Sequence, residues 1–247
     1  MEKNEYYTMF QFENEYWWYR GLHELVLTFV KKRPAPLHIL DAGCGTGRMM
    51  EMLQSYGTVS GIDYSVDAVT CCKERGLTNV RLSDLNTWKP EPETLDLIIS
   101  NDVIYSSGVV DDMAVVEQFH RALKAGGLLI LNLPAFMLLH RRHDIAVFGK
   151  RRYRKHATLS QLKQRGFVPV ACSYRLPHLF FFLLLQKFLV EPFQKSVPKS
   201  DLNPLPNFIN RFFLGLHRVE NKWISAGLTV PFGSSLFIVC KKENTDK

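Results

Sequence analysis

Residues 38–48 read His-Ile-Leu-Asp-Ala-Gly-Cys-Gly-Thr-Gly-Arg, and this stretch constrains the fold of the chain more than any other. An apolar strand runs into Asp41, glycines follow at positions 43, 45 and 47, and a helix-compatible segment begins at Arg48. Glycine allows a sharp turn and lets a ligand approach the backbone with no Cβ in the way. The helix that follows presents unpaired N–H groups at its start. Together these features predict a small-molecule pocket at the carboxyl end of the first strand of an α/β sheet. A dinucleotide fingerprint spaces its glycines G-x-G-x-x-G around a pyrophosphate. Here the spacing is G-x-G-x-G, and the acid closing the strand suits a cationic ligand better than a diphosphate.

The downstream sequence carries matching landmarks. Residues 57–62 read as a second short strand ending at Asp63. That acid stands at the distance of about 20 residues from the first glycine expected for a carboxylate that bonds ribose hydroxyls. Tyr64 is placed to lie against an adenine face, and Ser65 to N-cap a helix through Cys72 that Gly76 stops. Asn79–Leu82 reads as a third strand leading to Ser83, Asp84 and Leu85. Leu95–Ser100 is a nearly continuous apolar run, the pattern of a strand covered on both faces, and it leads into Asn101-Asp102-Val103-Ile104. A helix over 111–124 closes at Ala125-Gly126-Gly127, and a fifth strand follows over 128–133.

The Asp-x-Gly-x-Gly-x-Gly motif, with these acids in this order, resembles the class I S-adenosylmethionine (SAM)-dependent methyltransferases. The resemblance implies an α/β, Rossmann-like sheet with helices on both faces. It also implies SAM as cofactor and S-adenosylhomocysteine (SAH) as product. Its binding residues would be Asp41, Gly43, Cys44, Gly45, Gly47, Asp63, Tyr64, Ser65, Asp84, Leu85, Asn101 and Val103, with Asp84 on the adenine amino group. Trp18 and Arg20, with Trp17 as a further candidate, are expected to join them from an N-terminal segment folded over the cofactor. The Glu-His pair that many small-molecule relatives carry after the fourth strand is replaced by Tyr105-Ser106. Tyr105, His140 and His143 are therefore the candidate catalytic residues, with His156 as a further histidine, Tyr105 to orient the acceptor and a histidine to take a proton. The Asn/Asp-Pro-Pro-Tyr/Phe motif used on planar amines and a Pro-Cys nucleophile are both absent, which lowers the weight of nucleic-acid methylation.

A chain of 247 residues, 46% hydrophobic and 22% charged, suits one α/β domain with additions. Five cysteines without framework or metal-type spacing, and an N-terminus without an apolar leader, point to free thiols in a reducing cytoplasm and no metal. The formal charge of +7 is concentrated in residues 140–156, between the fifth strand and a helix over 158–165 that Thr158 and Gln161 are expected to open with a capping box. This segment reads as a solvated surface or as a site for an anionic acceptor, anionic lipid headgroups or RNA.

Two segments exceed a minimal domain. Residues 1–36 form an N-terminal helical extension or lid, with an amphipathic helix over 21–32 after Trp17 and Trp18. Residues 175–229 interrupt the SAM-binding core (37–174) and the last strand with its tail (230–247). This insertion predicts an apolar helix over 176–190, too short to span a bilayer, and a second around Phe208–Leu216, with Pro198, Pro204 and Pro206 between. Those helices suit a buried interface, a membrane surface or a site for a lipid tail.

With the Trp-Trp-Tyr start, Arg151-Arg152-Tyr153 and Pro231-Phe232-Gly233-Ser234, the chain also resembles type 11 methyltransferases of surface-glycan and lipid-linked pathways. The implied function is methyl transfer, O-directed, to a small or lipid-linked, anionic acceptor by a cytoplasmic protein peripheral to the membrane. Its alternatives are RNA methylation and SAM binding without catalysis. The sequence leaves the oligomeric state open.

Overall fold

A computed structural model describes residues 3–193 and 205–244. The chain begins with two helices, α1 (Lys3–Phe12) and α2 (Trp17–Val30). Leu22, Leu25, Val26, Phe29 and Val30 recur at helical spacing along α2 and are all buried. The helix starts four residues before the predicted position, at Trp17 itself, so the tryptophans belong to its first turn rather than to a preceding arm.

The core alternates strand and helix. β1 (Leu37–Ala42), α3 (Arg48–Leu53), β2 (Gly57–Asp63), α4 (Val66–Glu74), β3 (Val80–Leu82), β4 (Leu95–Asn101), α5 (Asp112–Ala122) and β5 (Leu123–Pro134) follow in turn. Beyond them come α6 (Arg142–Ala146), α7 (Lys155–Gln164), β6 (Phe167–Arg175), α8 (Pro177–Leu185), α9 (Asn207–Ser225) and β7 (Ser235–Lys242). The seven strands lie in the order β3-β2-β1-β4-β5-β7-β6. The first five are parallel and β7 is antiparallel to both neighbours. This is the predicted α/β, Rossmann-like sheet with an N-terminal helical extension. The order in which strands are added reverses between β1 and β4, and in open sheets of this kind ligands bind in the crevice outside the carboxyl ends at that switch point. One apolar layer packs Phe119, Val116 and Leu162 against Leu129, Leu131 and Ile238. The other packs α2 against Ile39, Ile99, Ile130 and Val239.

Four boundaries differ from expectation. The fifth strand begins at Leu123, before the glycines, because Thr94 and Glu93 N–H groups take the Ala122 and Arg121 carbonyls and Leu123 pairs with Leu95. Thr158 does not open a capping box. The helix starts one turn earlier, and the Thr158 hydroxyl donates to the Arg154 carbonyl at 2.9 Å from inside it. The apolar helix from Pro177 is α-helical only to Leu185 and continues as a π turn over Gln186–Val190. The second apolar helix is longer than expected, running from Asn207 to Ser225 after Pro206. Pro198 and Pro204 lie outside the described residues.

α9 is clamped to α2. The Trp17 N–H donates to Asn210 Oδ1 at 2.7 Å, and Asn221 Nδ2 donates to the Gly21 carbonyl at 2.7 Å. A Cβ on Gly21 would stand 1.9 Å from His217 Nδ1, so only glycine admits this approach. Among the described residues no helix is long and apolar enough to cross a membrane, and no group of metal-ligating side chains occurs. All five cysteines are free.

Candidate functional site

The carboxyl ends of β1, β2 and β4 open into a cavity of about 960 Å³. Its floor is the glycine loop. The Gly43 and Cys44 N–H groups both donate to the Ile62 carbonyl, at 2.8 and 3.0 Å, which ties the loop to the end of β2. Gly43, Gly45 and Gly47 all have positive φ, at 82°, 53° and 84°. Side chains are excluded there for steric as well as conformational reasons: a Cβ on Gly43 would lie 2.3 Å from Val103 Cγ2.

Asp63 stands beside the loop. Its Oδ2 accepts the Gly45 N–H and its Oδ1 the Ser65 N–H, each at 2.9 Å. Each oxygen keeps a lone pair for a hydroxyl donor. Ser65 also caps α4, its hydroxyl accepting the Ala68 N–H at 3.4 Å. Asp41 is buried at the end of β1, and burial, then Asp63 and Glu13, push its carboxyl up to about 7. Burial also raises the Asp63 carboxyl, against the pull of the two N–H bonds. Three carboxyls, Asp41, Asp63 and Glu13, thus share one poorly solvated end of the cavity. A bound cation relieves that arrangement.

Asn101 lines the same region, and its Oδ1 is buried with no hydrogen-bond partner among the described residues. Asp84 and Leu85 line the cavity after β3, and Asn86 bonds fix Asp84 Oδ1 at 2.9 and 2.7 Å. Tyr64 is exposed at the cavity edge. An acid-rich end and an orphaned acceptor beside the glycine loop fit a ligand carrying an ammonium group and ribose hydroxyls.

Of the expected cofactor residues, Trp18, Asp41, Gly43, Cys44, Gly45, Asp63, Tyr64, Asp84, Leu85, Asn101 and Val103 line the cavity. Gly47, Ser65 and Arg20 do not line it. Gly47 caps α3 and Ser65 holds Asp63 from behind. Arg20 sits in the first turn of α2, its N–H on the Tyr16 carbonyl. Among the catalytic candidates, Tyr105 and His143 line the cavity. His140 does not, and its Nε2 lies 3.3 Å from the Gly149 carbonyl. Burial raises the Tyr105 hydroxyl, which keeps it a hydrogen-bond donor at neutral pH.

Several lining residues escape sequence reading. α1 brings Tyr6 and Met9, and Glu13 follows it; the Glu13 carboxylate takes hydrogen bonds from Thr46 and Arg75. Tyr6 packs beside Asp63, Tyr64 and Ser65. Asp102 holds a backbone φ of 55°, and its Oδ2 accepts Asn132 Nδ2 at 2.7 Å. Asn132 in turn accepts from buried Arg175 at 3.3 Å. Burial pushes the Asp102 carboxyl up to about 6 against that bond and the Arg175 and Arg152 charges.

The basic segment is largely structural. Arg152 makes a bidentate pair with Asp144, at 2.8 and 2.9 Å, and donates to the Ala135 carbonyl at 2.9 Å. Burial alone would raise the Asp144 carboxyl, yet Arg152 holds it below the usual range. Arg151 donates to the Ser106, Val109 and Val110 carbonyls. Lys150 and Arg154 remain exposed.

Away from the acids the cavity wall is apolar. Leu179, Phe182 and Leu183 of α8 and Phe213 of α9 line it together with Trp17 and His178. Trp17 Nε1 and His178 Nε2 are buried there with no hydrogen-bond partner among the described residues.

Residues 39–127 match the family model described as a methyltransferase domain. Over 98 residues the chain is 37% identical to the trans-aconitate 2-methyltransferase of Agrobacterium fabrum, covering 38% of this chain and 37% of the relative. The homologous enzyme of Variovorax paradoxus is 32% identical over 106 residues, 41% of this chain and 40% of the relative. The chain thus spans about two-fifths of the length of these curated relatives. Among solved structures, a SAM-dependent methyltransferase from Mesorhizobium loti superposes with a TM-score of 0.57 at 16% identity, over 88% of this chain and 95% of that one. Phosphoethanolamine N-methyltransferase 2 of Haemonchus contortus, in complex with SAM, gives 0.58 at 16% identity, over 90% of this chain and 52% of that one. At these identities the likeness establishes the fold.

Proposed function

We propose that this chain is a class I SAM-dependent methyltransferase that transfers the SAM methyl group to a small-molecule acceptor, a reading supported by the methyltransferase-domain match over residues 39–127. The observation that carries the proposal is the single cavity that joins the glycine loop and its three carboxyls to an apolar chamber. SAM supplies a methyl group on a sulfonium, already activated for displacement. The chain's residues then have to bind, align and exclude water, and alignment alone is worth effective molarities of ~10⁵ M or more.

In this reading Asp41 and Asn101 receive the amino-acid end of SAM, and Asp63 the ribose hydroxyls. Asp84, the Leu85 N–H and the Tyr64 ring hold the adenine, while Gly43, Cys44, Gly45 and Gly47 let the backbone close in. Gly47 and Ser65 act by shaping the loop and by positioning Asp63. Trp18 covers the site from α2.

On the acceptor side Tyr105 donates to the acceptor and His143 takes its proton. Held there, SAM would supply the methyl group to the acceptor oxygen as His143 takes the acceptor's proton, with SAH as the leaving group. His140, turned to the Gly149 carbonyl, is left out of this scheme.

We infer further that the acceptor has an apolar portion and an anionic group, as a lipid-linked molecule does. Phe182, Leu183 and Phe213 support the first element. The curated relatives named for trans-aconitate support the second. RNA gains less support, because Arg151 and Arg152 are spent on carbonyls and on Asp144.

The test has two stages. Calorimetry with SAH should show binding, and its absence removes the SAM reading and with it the superfamily's chemistry. Labelled SAM is then incubated with the protein and separated lipid, glycan and RNA extracts. Label in the organic-solvent lipid fraction is expected. Label confined to RNA overturns the acceptor, and no transfer into any fraction favours SAM binding without catalysis.

A further inference from the structure

The exposed side of α9 is not the side a buried helix would show. At about 100° per residue, Phe208, Phe212, Leu216, Val219 and Trp223 fall within an arc of about 80°, and all five are exposed, Phe208 at 74% and Trp223 at 54%. Leu214, His217, Asn221 and Ile224 occupy the opposite face and are buried. The apolar stripe is therefore additional to the face that packs on α2.

Beside it, Arg211, Arg218 and Lys222 form a basic row, all exposed. Glu24 engages Arg218 at 2.7 and 2.9 Å. The only acid of α9, Glu220, lies on the buried side and accepts the Leu176 N–H.

α8 adds a second exposed apolar stretch. It packs on α9 through His178 and Phe213, whose rings stack with centroids 5.6 Å apart. Phe181, Phe182 and Leu185 are exposed, as are Phe188 and Leu189 in the π turn, where Lys187 reaches the Leu138 carbonyl at 2.8 Å. Neither α8 nor the π turn contains an acid.

Monomeric soluble proteins rarely leave apolar area of this extent open to water. An apolar stripe rimmed by arginine and lysine, with aromatic side chains at the boundary, has the composition of a helix lying in a bilayer interface. A protein partner of matching shape would need only the apolar stripe. The basic row and the +7 charge of the chain select a negatively charged surface.

We infer that α8 and α9 dock this protein onto an anionic lipid bilayer, with the α9 stripe entering the headgroup–acyl boundary and Arg211 and Lys222 on lipid phosphates. Phe182 both lines the cavity and is exposed on α8. Docking therefore brings the cavity mouth to the lipid, where an acceptor with an apolar tail enters without crossing water. The docking stands apart from the chemistry of the pocket: SAH calorimetry reports on the pocket and vesicle flotation on the surface.

The full chain is floated with vesicles of phosphatidylcholine alone and of phosphatidylcholine and phosphatidylglycerol in equal parts. Flotation with the mixed vesicles, weak flotation with the neutral ones, and loss of binding with added salt are expected. The Phe212→Ser/Trp223→Ser variant should lower vesicle affinity at least about tenfold. Arg211→Glu/Lys222→Glu should lower it by about fivefold or more per site on the mixed vesicles only. Both variants alter exposed side chains, and unchanged circular dichroism and SAH affinity verify that they fold.

Trp223 emission should shift to the blue on mixed vesicles, a shift missing in Trp223→Phe. Absence of flotation overturns the proposal, as does flotation that neither double variant changes. A stable dimer in solution that shields Trp223 from quencher and does not float assigns the surface to a second copy instead, and also overturns it.

Discussion

Asp63 Oδ2 accepts the Gly45 N–H at 2.9 Å, so the acid at the end of β2 holds the glycine loop that follows β1. The same carboxylate takes the Ser65 N–H through Oδ1. Asp63 thus serves as a strut between two strand ends before any ligand arrives. Asp63→Ala should weaken SAH binding by the ~1.5–3 kcal/mol of a hydrogen bond to a charged group, about 10- to 150-fold in Kd. Asp63→Asn keeps an acceptor for one N–H and should fall between the two. Equal calorimetric affinity in all three proteins would show that ribose is held elsewhere.

Gly45 has a φ of 53°, and a Cβ there would sit 2.8 Å from Met9 Cε. Met9 is the flexible end of a side chain on α1 and can yield, so the enduring cost is the left-handed backbone. That cost is ~1–2 kcal/mol for a residue with a Cβ and more for a branched one. Gly45→Val should lower Tm by at least about 2–8 °C and, in the folded fraction, displace α1 and abolish SAH binding. Retained affinity in a folded Gly45→Val protein would contradict the close approach assigned to this loop.

The strand-end acids and glycines were legible in the sequence because they act through local backbone geometry. A strand, a turn and a helix start must occur at Asp41–Arg48 whatever surrounds them. What covers the loop was not legible. Glu13 meets Thr46 and Arg75 across 33 and 62 residues, and no periodicity links those positions. The arginines of 140–156 were misleading for a related reason: composition counts charges but does not reveal that Arg152 is paired with Asp144 or that Arg151 binds three carbonyls. Thr158 illustrates the limit of short motifs, since its hydroxyl found the carbonyl four residues back and the helix began at Lys155.

The crowded acids give the stability of the ligand-free protein a definite pH sign. Burial and neighbouring carboxylates raise Asp41 from 3.8 to about 7, and burial raises Asp102 to about 6. An acid with a raised folded-state pKa binds more protons folded than unfolded, so its stabilising effect is complete below the unfolded value and is lost as pH rises through the folded one. Burial acts in the other direction on His23 and His217, lowered from 6.5 to about 3 and about 2, which makes acid unfavourable below pH 6.5. Four histidines with lowered folded-state values, His23, His120, His178 and His217, still titrate in the unfolded chain around pH 6.5, so the Asp41 contribution is read as a difference between two proteins. The Tm of the wild type relative to that of Asp41→Asn should fall as pH rises from about 4 to 8. Saturating SAM, whose ammonium group would face Asp41, should reduce that fall. A ligand-free difference that is level or rising with pH would refute the raised Asp41.

Arg75 joins α1 to the loop through three contacts. It bonds the Glu13 carboxylate, donates to the Thr46 carbonyl at 2.8 Å, and stacks its guanidinium over the Phe10 ring at 4.5 Å. Both members of the Arg75–Glu13 pair are buried. Removing one partner of such a pair costs ~3–5 kcal/mol, because the remaining charge is left without compensation. Much of that cost can be relieved here by releasing α1, which exposes Glu13 to water. Arg75→Ala should therefore act locally: hydrogen exchange speeds up over residues 3–12, protection of β1 and β4 is kept, and SAH dissociates faster. Adding Glu13→Gln to that background removes the stranded charge and should restore part of the protection and affinity. The opposite pattern, with global destabilisation and unchanged exchange in α1, would mean that the pair braces the core and that α1 does not cover the loop.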